Sequence, residues 1–274
     1  MPISFGRSQA QSQPQPADER KIVVAGNWKM NKTYSAAVQL AQLVDDRLER
    51  SWKNNVEVIL CPPATALRGV SNVLAFDKSF AKVGGQDCSP EDSGAFTGDI
   101  SAPMLADLDC TWCIVGHSER RHGHGETSEQ VSAKAAALIR AGIAPIVCVG
   151  EPLDVYEAGS TSAYVTEQVR ASLAGLDLAG RDFAVAYEPV WAIGSGKVPT
   201  PEYVQDVAAQ IRAAVSEVAG QDCAKRCYVL YGGSVKSGNA AFFTACADVD
   251  GVLVGGDALD ADKFIDIVKA VLHV

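Results

Sequence analysis

The stretch Phe183-Ala-Val-Ala-Tyr-Glu-Pro-Val-Trp-Ala-Ile-Gly194 carries the pattern that decides the fold. An apolar run ends in the carboxylate of Glu188, and Pro189 then fixes the backbone φ angle where the run stops. A loop with an apolar middle follows, and residues 201–219 then show the i, i+3, i+4, i+7 spacing of an amphipathic helix. The sequence therefore predicts a buried strand with a polar end, a loop and a helix.

This unit recurs along the chain. Short apolar runs that end in Gly, Pro or polar residues predict strands at 22–25, 56–61, 81–85, 112–116, 143–149, 183–188, 228–231 and 251–254. The clearest helices between them are predicted at 35–50, 127–141, 162–174, 201–219 and 261–272. Apolar runs without alternation suit strands buried on both faces of a parallel sheet. Eight alternations predict an α/β fold, a single-domain (β/α)₈ barrel over residues 21–274, with a doubly wound open sheet as the alternative.

The composition narrows the class of protein further. A formal net charge of -9 does not suit a nucleic-acid-binding surface, and no apolar run approaches the roughly 20 residues that would cross a bilayer. The eight cysteines form no CxxC pair, which predicts reduced, buried thiols in a cytoplasmic enzyme without a metal or other cofactor. Residues 1–20 are rich in Gln, Ser and Pro and are predicted to form a disordered tail.

Polar residues cluster where the predicted strands end. They are Asn27 and Lys29, His117 and Glu119, Glu151, Glu188, the Gly232-Gly233-Ser234 turn and the Gly255-Gly256 turn. In a barrel these ends open onto one face, where the active sites of this fold lie. Residues that are far apart in the sequence are therefore expected to meet at one mouth.

Two glycine pairs, Gly232-Gly233 and Gly255-Gly256, follow the last two predicted strands. Glycine-rich turns expose backbone N–H groups, and the loops after strands seven and eight are the recurring phosphate site of barrels. One such pair alone would be an ordinary turn. Two pairs in these two positions favour a phosphate site.

The ionisable residues each allow two interpretations. Glu188 can act as a general base at the mouth, but a Glu at a strand end also suits a helix cap or an ion pair. His117 alone is more often a packing residue, and Lys29 alone is more often a solvated charge. Residues 189–197 suit a lid that closes over substrate, although a loop packed on a subunit neighbour is the alternative.

Six stretches together resemble a known family. They are Gly26-Asn-Trp-Lys-Met-Asn31, Gly94-Ala-Phe-Thr-Gly98, Gly116-His-Ser-Glu-Arg-Arg121, Ala186-Tyr-Glu-Pro-Val-Trp-Ala-Ile-Gly194, Tyr231-Gly-Gly-Ser-Val235 and Leu253-Val-Gly-Gly256. In this order they resemble triosephosphate isomerases, from about Lys21 to the C-terminus. The resemblance implies interconversion of dihydroxyacetone phosphate and D-glyceraldehyde 3-phosphate through an enediolate, in glycolysis and gluconeogenesis.

The resemblance also implies roles for single residues, in a family that is a worked case of tuned acid–base chemistry. Glu188 would be the base, His117 a neutral electrophile, and Lys29 the positive charge beside the enediolate. Asn27 would hydrogen-bond the same oxygens, and Glu119 would support Lys29 and His117. The implied substrate-binding and phosphate-binding residues are Asn27, Lys29, Gly194, Ser234, Gly255 and Gly256.

The family is usually a homodimer, and the loop from Ser93 to Thr97 resembles the one that reaches into the partner. Thr97 would then help to position Lys29 and His117 of the neighbour. Some residues depart from the family pattern. Asp99 stands where Glu is common, and Val198-Pro199 vary the lid, with Pro199 expected to stiffen its second hinge.

Asp257 also departs from the family pattern, because it follows Gly255-Gly256 where a small neutral residue is usual. A carboxylate there would repel phosphate, so we expect it to point away from the ligand.

Two other functions remain open at this point. An imine-forming aldolase needs an activated lysine inside the barrel, and Lys29 beside Asn27 matches that need poorly. A non-catalytic barrel would be expected to have lost at least one of Asn27, Lys29, His117 and Glu188, and all four are present.

Overall fold

A computed structural model describes residues 20–274 of the chain. Residues 1–19 of the predicted tail lie outside the described part. Arg20, the one residue of that segment within it, is tied to the barrel, because its guanidinium donates to the Cys227 carbonyl at 3.1 Å and pairs with Asp250 at 2.8 Å.

Eight parallel strands form a closed barrel in chain order, which confirms the predicted fold and excludes the open sheet. The strands are β1 (Ile22–Asn27), β2 (Val56–Cys61), β3 (Lys82–Gly85), β4 (Cys110–Val115), β5 (Ala144–Val149), β6 (Ala184–Tyr187), β7 (Tyr228–Tyr231) and β8 (Gly251–Val254). The barrel closes where β1 pairs with β8, for example Val24 with Val252. Predicted and observed strand ends differ by at most two residues.

Helices cover the outside of the barrel. Within the described residues they are α1 (Tyr34–Asp45), α2 (Leu67–Phe76), α3 (Ala102–Asp107), α4 (Ser118–Gly123), α5 (Ser128–Arg140), α6 (Leu153–Glu157), α7 (Thr161–Leu173), α8 (Pro201–Ala219), α9 (Gln221–Arg226), α10 (Ser237–Thr244) and α11 (Ala261–Leu272). The 3₁₀ turns are Arg50–Asn54, Ala64–Ala66, Val190–Ala192 and Gly256–Leu259. The first predicted helix was too long, because α1 ends at Asp45 and the chain turns before Arg50–Asn54.

The strand side chains alternate between two buried layers. One set fills the barrel interior and includes Val23, Ala25, Ile59 and Ile114, and the other set packs against the helices. Each fully buried aliphatic side chain contributes about 1.5–3 kcal/mol of transfer free energy. Because both faces are buried, the strands read as continuous apolar runs. The filled interior leaves the mouth of the barrel as the place for a site.

The structure also tests two predictions from the sequence, one about the cysteines and one about membrane-spanning segments. All eight cysteines have free thiols, and burial raises the pKa of Cys110 and of Cys227 to about 12. Such thiols are protonated and unreactive. In the part of the chain from Arg20 onward, no helix is long and apolar enough to cross a membrane.

Candidate active site

The strand ends surround a cleft of about 320 Å³ at the mouth of the barrel. Of the residues that the sequence predicts for the site, those that line it are Asn27, Lys29, His117, Glu188, Gly194, Ser234, Gly255 and Gly256. Glu119 does not line the cleft, but its carboxylate contacts Lys29. The structure therefore brings the predicted residues together from β1, β4, β6, β7 and β8.

Glu188 follows the last residue of β6 and is almost fully buried, with 2% of its surface exposed. Its Oε1 lies 2.9 Å from His117 Nε2, and its Oε2 accepts the Ser118 backbone N–H at 2.9 Å. Burial raises the pKa of Glu188, but His117, the Ser118 N–H and Lys29 outweigh burial and hold that pKa below its usual value. The carboxylate is therefore ionised and able to accept a proton.

His117 is the N-cap residue of α4, and its Nδ1 accepts the Glu119 backbone N–H at 3.2 Å. This contact assigns the ring proton to Nε2, which faces Glu188. Burial lowers the pKa of His117, and the neighbouring Glu188 raises it by more. The raised pKa favours a second ring proton, and Glu119 Oε2 lies 3.7 Å from Nδ1, whereas the hydrogen bond from the Glu119 N–H requires an unprotonated Nδ1. We assign the neutral imidazole with a proton on Nε2 from that hydrogen bond, because it satisfies the contacts at both ring nitrogens.

Lys29 is held by its backbone as well as by its side chain. Its φ is +52°, a conformation that costs a non-glycine residue roughly 1 kcal/mol or more. The Lys29 N–H donates to Asn27 Oδ1 at 3.0 Å, and Gln86 Nε2 donates to the Lys29 carbonyl at 2.9 Å. The ammonium pairs with Glu119 Oε1 at 2.6 Å. These contacts fix a positive charge at the mouth within reach of the cleft.

The loops after β7 and β8 line another part of the cleft, and the loop after β7 begins at Gly232, next to Glu188. Among residues 20–274, the backbone N–H groups of Ser234, Gly256 and Asp257 form no hydrogen bond with a backbone acceptor, and the Ser234 N–H lies near the Tyr231 hydroxyl. The turn after β7 is braced by Asn239, which donates to the Ser234 carbonyl at 2.9 Å. Free N–H groups that border one cleft can bind an anionic group such as phosphate.

Gly150 lies directly against the backbone of the candidate base. A Cβ at this position would stand 1.7 Å from the Glu188 carbonyl oxygen and 2.6 Å from its carbonyl carbon. The Glu188 N–H donates to the Val149 carbonyl at 2.8 Å, so β5 and the end of β6 meet without space between them. The sequence indicated no role for Gly150. Its role is steric, because only glycine leaves room for Glu188.

The loop that begins at Pro189 is anchored by Glu151, a residue whose role sequence reasoning missed. Glu151 is fully buried, and its Oε1 accepts hydrogen bonds from Trp191 Nε1 at 2.7 Å, Tyr187 at 3.0 Å and Tyr203 at 3.2 Å. The only sequence signal was its place after β5. Beyond this anchor, residues 194–198 are exposed, and Ile193 lines the cleft.

A cluster of four charges supports the segment that carries His117. Lys134 on α5 pairs with Asp87 at 2.8 Å and with Glu126, and Arg120 on α4 pairs with the same two carboxylates. Burial raises the pKa of Asp87, whereas Lys134 and Arg120 outweigh burial at Glu126 and lower the pKa there. The sequence gave no signal for this cluster, because each residue alone resembles a solvated charge.

The structure gives the surroundings of Asp99, Pro199 and Asp257, three residues that depart from the family pattern. Asp99 Oδ2 accepts from Ser89 Oγ at 2.9 Å at the base of the exposed loop of residues 91–99. Pro199 is buried next to Thr200, the N-cap of α8. Asp257 is among the residues that line the cleft, and the direction of its carboxylate relative to a ligand stays a prediction.

The chain is similar in sequence and in structure to known triosephosphate isomerases. The family model described as triosephosphate isomerase matches residues 22–271. The chain is 48% identical to the triosephosphate isomerase of Leifsonia xyli subsp. xyli over 257 residues, which is 93% of this chain and 99% of the relative. It is 50% identical to that of Corynebacterium diphtheriae over 248 residues, which is 89% of this chain and 95% of the relative. The crystal structure of triosephosphate isomerase from Bartonella henselae is similar, with a TM-score of 0.82, 35% identity, and coverage of 92% of this chain and 100% of that one.

Proposed function

The chain belongs to the triosephosphate isomerase family, and on that premise we propose that the cleft at the barrel mouth is where it acts. The reaction interconverts dihydroxyacetone phosphate and D-glyceraldehyde 3-phosphate, an aldose–ketose isomerisation of glycolysis and gluconeogenesis. The observation that carries the assignment of the site is one cleft with a buried carboxylate, an imidazole and free N–H groups.

Glu188 is the general base of this proposal. The reaction removes a proton from a carbon next to a carbonyl and returns it to the neighbouring carbon, so one group must accept and then donate it. The Glu188 carboxylate is ionised, and its two oxygens accept hydrogen bonds from His117 Nε2 and from the Ser118 backbone N–H in this structure. Bound substrate takes over the contact with His117, and Glu188 turns to the substrate carbon.

His117, Lys29 and Asn27 stabilise the oxygens of the enediolate. The His117 Nε2–H donates to the substrate carbonyl and passes a proton between the two oxygens, and its Nδ1 contact keeps it neutral. The Lys29 ammonium supplies positive charge where the oxyanion develops, and Glu119 fixes that ammonium. The Asn27 amide holds Lys29 through its backbone and adds a donor to the same oxygens.

The turns after β7 and β8 bind the phosphate. The N–H groups of Ser234 and Gly256 donate to its oxygens, and Gly194 adds a further N–H when the lid over the cleft closes. Closure excludes water from the enediolate, which strengthens its electrostatic stabilisation and protects it from loss of phosphate.

A coupled assay tests the function. Purified protein with D-glyceraldehyde 3-phosphate is expected to form dihydroxyacetone phosphate, and an exposed variant such as Glu157→Gln is expected to match it. The alternative is an imine-forming aldolase. It would show no isomerase activity, and borohydride with a ketose phosphate would trap a covalent adduct at Lys29.

The dimer is part of the same proposal. The loop of residues 91–99 is exposed, and it carries Phe96 with 47% of its surface open, close in sequence to Thr97. A second copy would cover this loop and receive Thr97 beside its own Lys29 and His117. Light scattering is expected to give twice the chain mass, and Phe96→Asp to give a monomer of low activity. A fully active monomer would contradict the dimer.

We also propose that the protein works in the cytoplasm. Eight free thiols suit a reducing compartment. Fractionation of cells that express the native chain is expected to recover the activity with cytoplasmic markers, and recovery outside the cell would contradict this.

A further inference from the structure

Two charged residues at the phosphate end of the cleft have no role in the mechanism so far. Lys236 follows the turn after β7, and Asp257 begins the loop after β8, so they lie on two different loops that border the same cleft. Neither side chain forms an ion pair within 4 Å with another residue in the described range 20–274. Their charges are therefore not neutralised by the protein.

The other charges of the cleft are already engaged. The Lys29 ammonium forms an ion pair with Glu119. The Glu188 carboxylate is hydrogen-bonded to His117 and to the Ser118 backbone N–H. An anion that binds at the turn N–H groups of Ser234 and Gly256 would thus meet Lys236 and Asp257 as the two unpaired charges of the lining. One attracts a phosphate, and the other repels it.

We propose that Lys236 and Asp257 are opposed specificity-determining residues for the phosphate group. Lys236 strengthens the binding of the dianion, and Asp257 weakens it, so the pair sets how tightly the cleft holds substrate and product. This inference rests on the proposed function, because it takes the phosphate end of the cleft as the binding site. It gives Asp257 a function that the sequence did not predict.

Long-range electrostatics sets the size of the effect. Charges that border one small cleft act over distances up to the Debye length of about 10 Å. At about 10 Å in water, and at an ionic strength low enough for screening to be small, one unit charge changes the affinity for a dianion roughly fourfold, and by more when it lies closer. The opposite signs make the two effects cancel when both charges are removed.

The test measures binding of inorganic phosphate by calorimetry to the full chain at low ionic strength. Asp257→Asn is expected to lower the Kd roughly three- to tenfold, and Lys236→Gln to raise it by a similar factor. The double variant is expected to return close to the native value. Matched controls on α9 at the other end of the barrel, Asp222→Asn and Lys225→Gln, are expected to leave the Kd unchanged.

Two results would overturn the inference. The first is a Kd for Asp257→Asn or Lys236→Gln that equals that of its control. The second is a change that persists undiminished at about 0.5 M salt, where screening reduces an effect of charge but not one of shape. Binding is measured without turnover, so a failure of the isomerase assay would count against the proposed function and leave this test intact.

Discussion

Gly150→Ala tests whether the close approach of residue 150 positions the proposed base, Glu188. The added Cβ would stand 1.7 Å from the Glu188 carbonyl oxygen, whereas real Cβ contacts stay above 3.0 Å. The backbones of residues 150 and 188 must therefore separate by more than 1 Å. The partner atoms are backbone atoms of two paired strand ends, so no flexible side chain can absorb the shift.

The expected loss follows from that displacement. A misplacement of about 1 Å at a reacting group costs on the order of 100-fold in rate. Overpacking of this kind also costs about 1–3 kcal/mol of unfolding free energy. Gly150→Ala should therefore lower kcat/KM by roughly 100-fold. It should lower Tm by several degrees, at about 2–4 °C per kcal/mol for a chain of this size.

The assay compares kcat/KM and Tm with a matched glycine variant. Gly238 lies in α10, and a Cβ there would meet nothing within 4 Å, so Gly238→Ala should keep native activity and Tm. If Gly150→Ala is folded and stays within threefold of Gly238→Ala in kcat/KM, the close approach does not position Glu188, and the reasoning fails.

Three other changes test the surroundings of the site. Lys134→Met leaves two partly buried carboxylates with one guanidinium and should cost at most about 3–5 kcal/mol in urea unfolding, and a loss below 1 kcal/mol would contradict the cluster. His117→Gln removes the main group that lowers the pKa of Glu188 and leaves burial, which raises it, so the acid limb of residual kcat/KM should move to higher pH. A limb that stays in place would show that another group sets this pKa. Trp191→Phe removes the hydrogen bond to Glu151, worth about 1.5–3 kcal/mol, and should speed amide exchange in residues 191–197 by at least tenfold, with unchanged exchange counting against the anchor.

The pKa of Glu188 also determines how stability responds to pH. Its folded value lies below the usual 4.5, so the ionised carboxylate contributes stability above that pH. The contribution is lost as the pH falls through the lowered folded value. In Glu188→Gln this part of the acid dependence of unfolding should be absent.

The barrel could be predicted because its physics is local and repeated. Apolar runs buried on both faces, each with a polar end and a helix behind it, indicated eight parallel strands. The same pattern placed Asn27, His117 and Glu188 at one mouth, because parallel strand ends share one face. The predicted helices did not include α2 and α10, which have ten and eight residues. The short helices α3, α4, α6 and α9 were also missed, since five or six residues carry too little periodicity to be recognised.

The contacts within the site could not be predicted, because they depend on packing between distant segments. The hydrogen bond between His117 and Glu188 joins residues that are 71 positions apart in the sequence. Its geometry depends on the ends of β4 and β6, which only the closed barrel brings together. Glu151 looked like one polar residue among several, and only the fold shows that three donors converge on it. The place of Asp257 in the lining of the cleft depends in the same way on the turn after β8.

The central claim is that Glu188 moves the proton, and exchange of carbon-bound hydrogen tests it most directly. Dihydroxyacetone phosphate in deuterated water is followed by NMR with the native chain, with Glu188→Gln, and with the exposed control Glu157→Gln. Loss of a general base costs typically 10²–10⁴-fold, so exchange with Glu188→Gln should fall by about 10³ while inorganic phosphate still binds and the control stays native. Exchange with Glu188→Gln within tenfold of the native rate would contradict the claim, because another group would then be removing the proton.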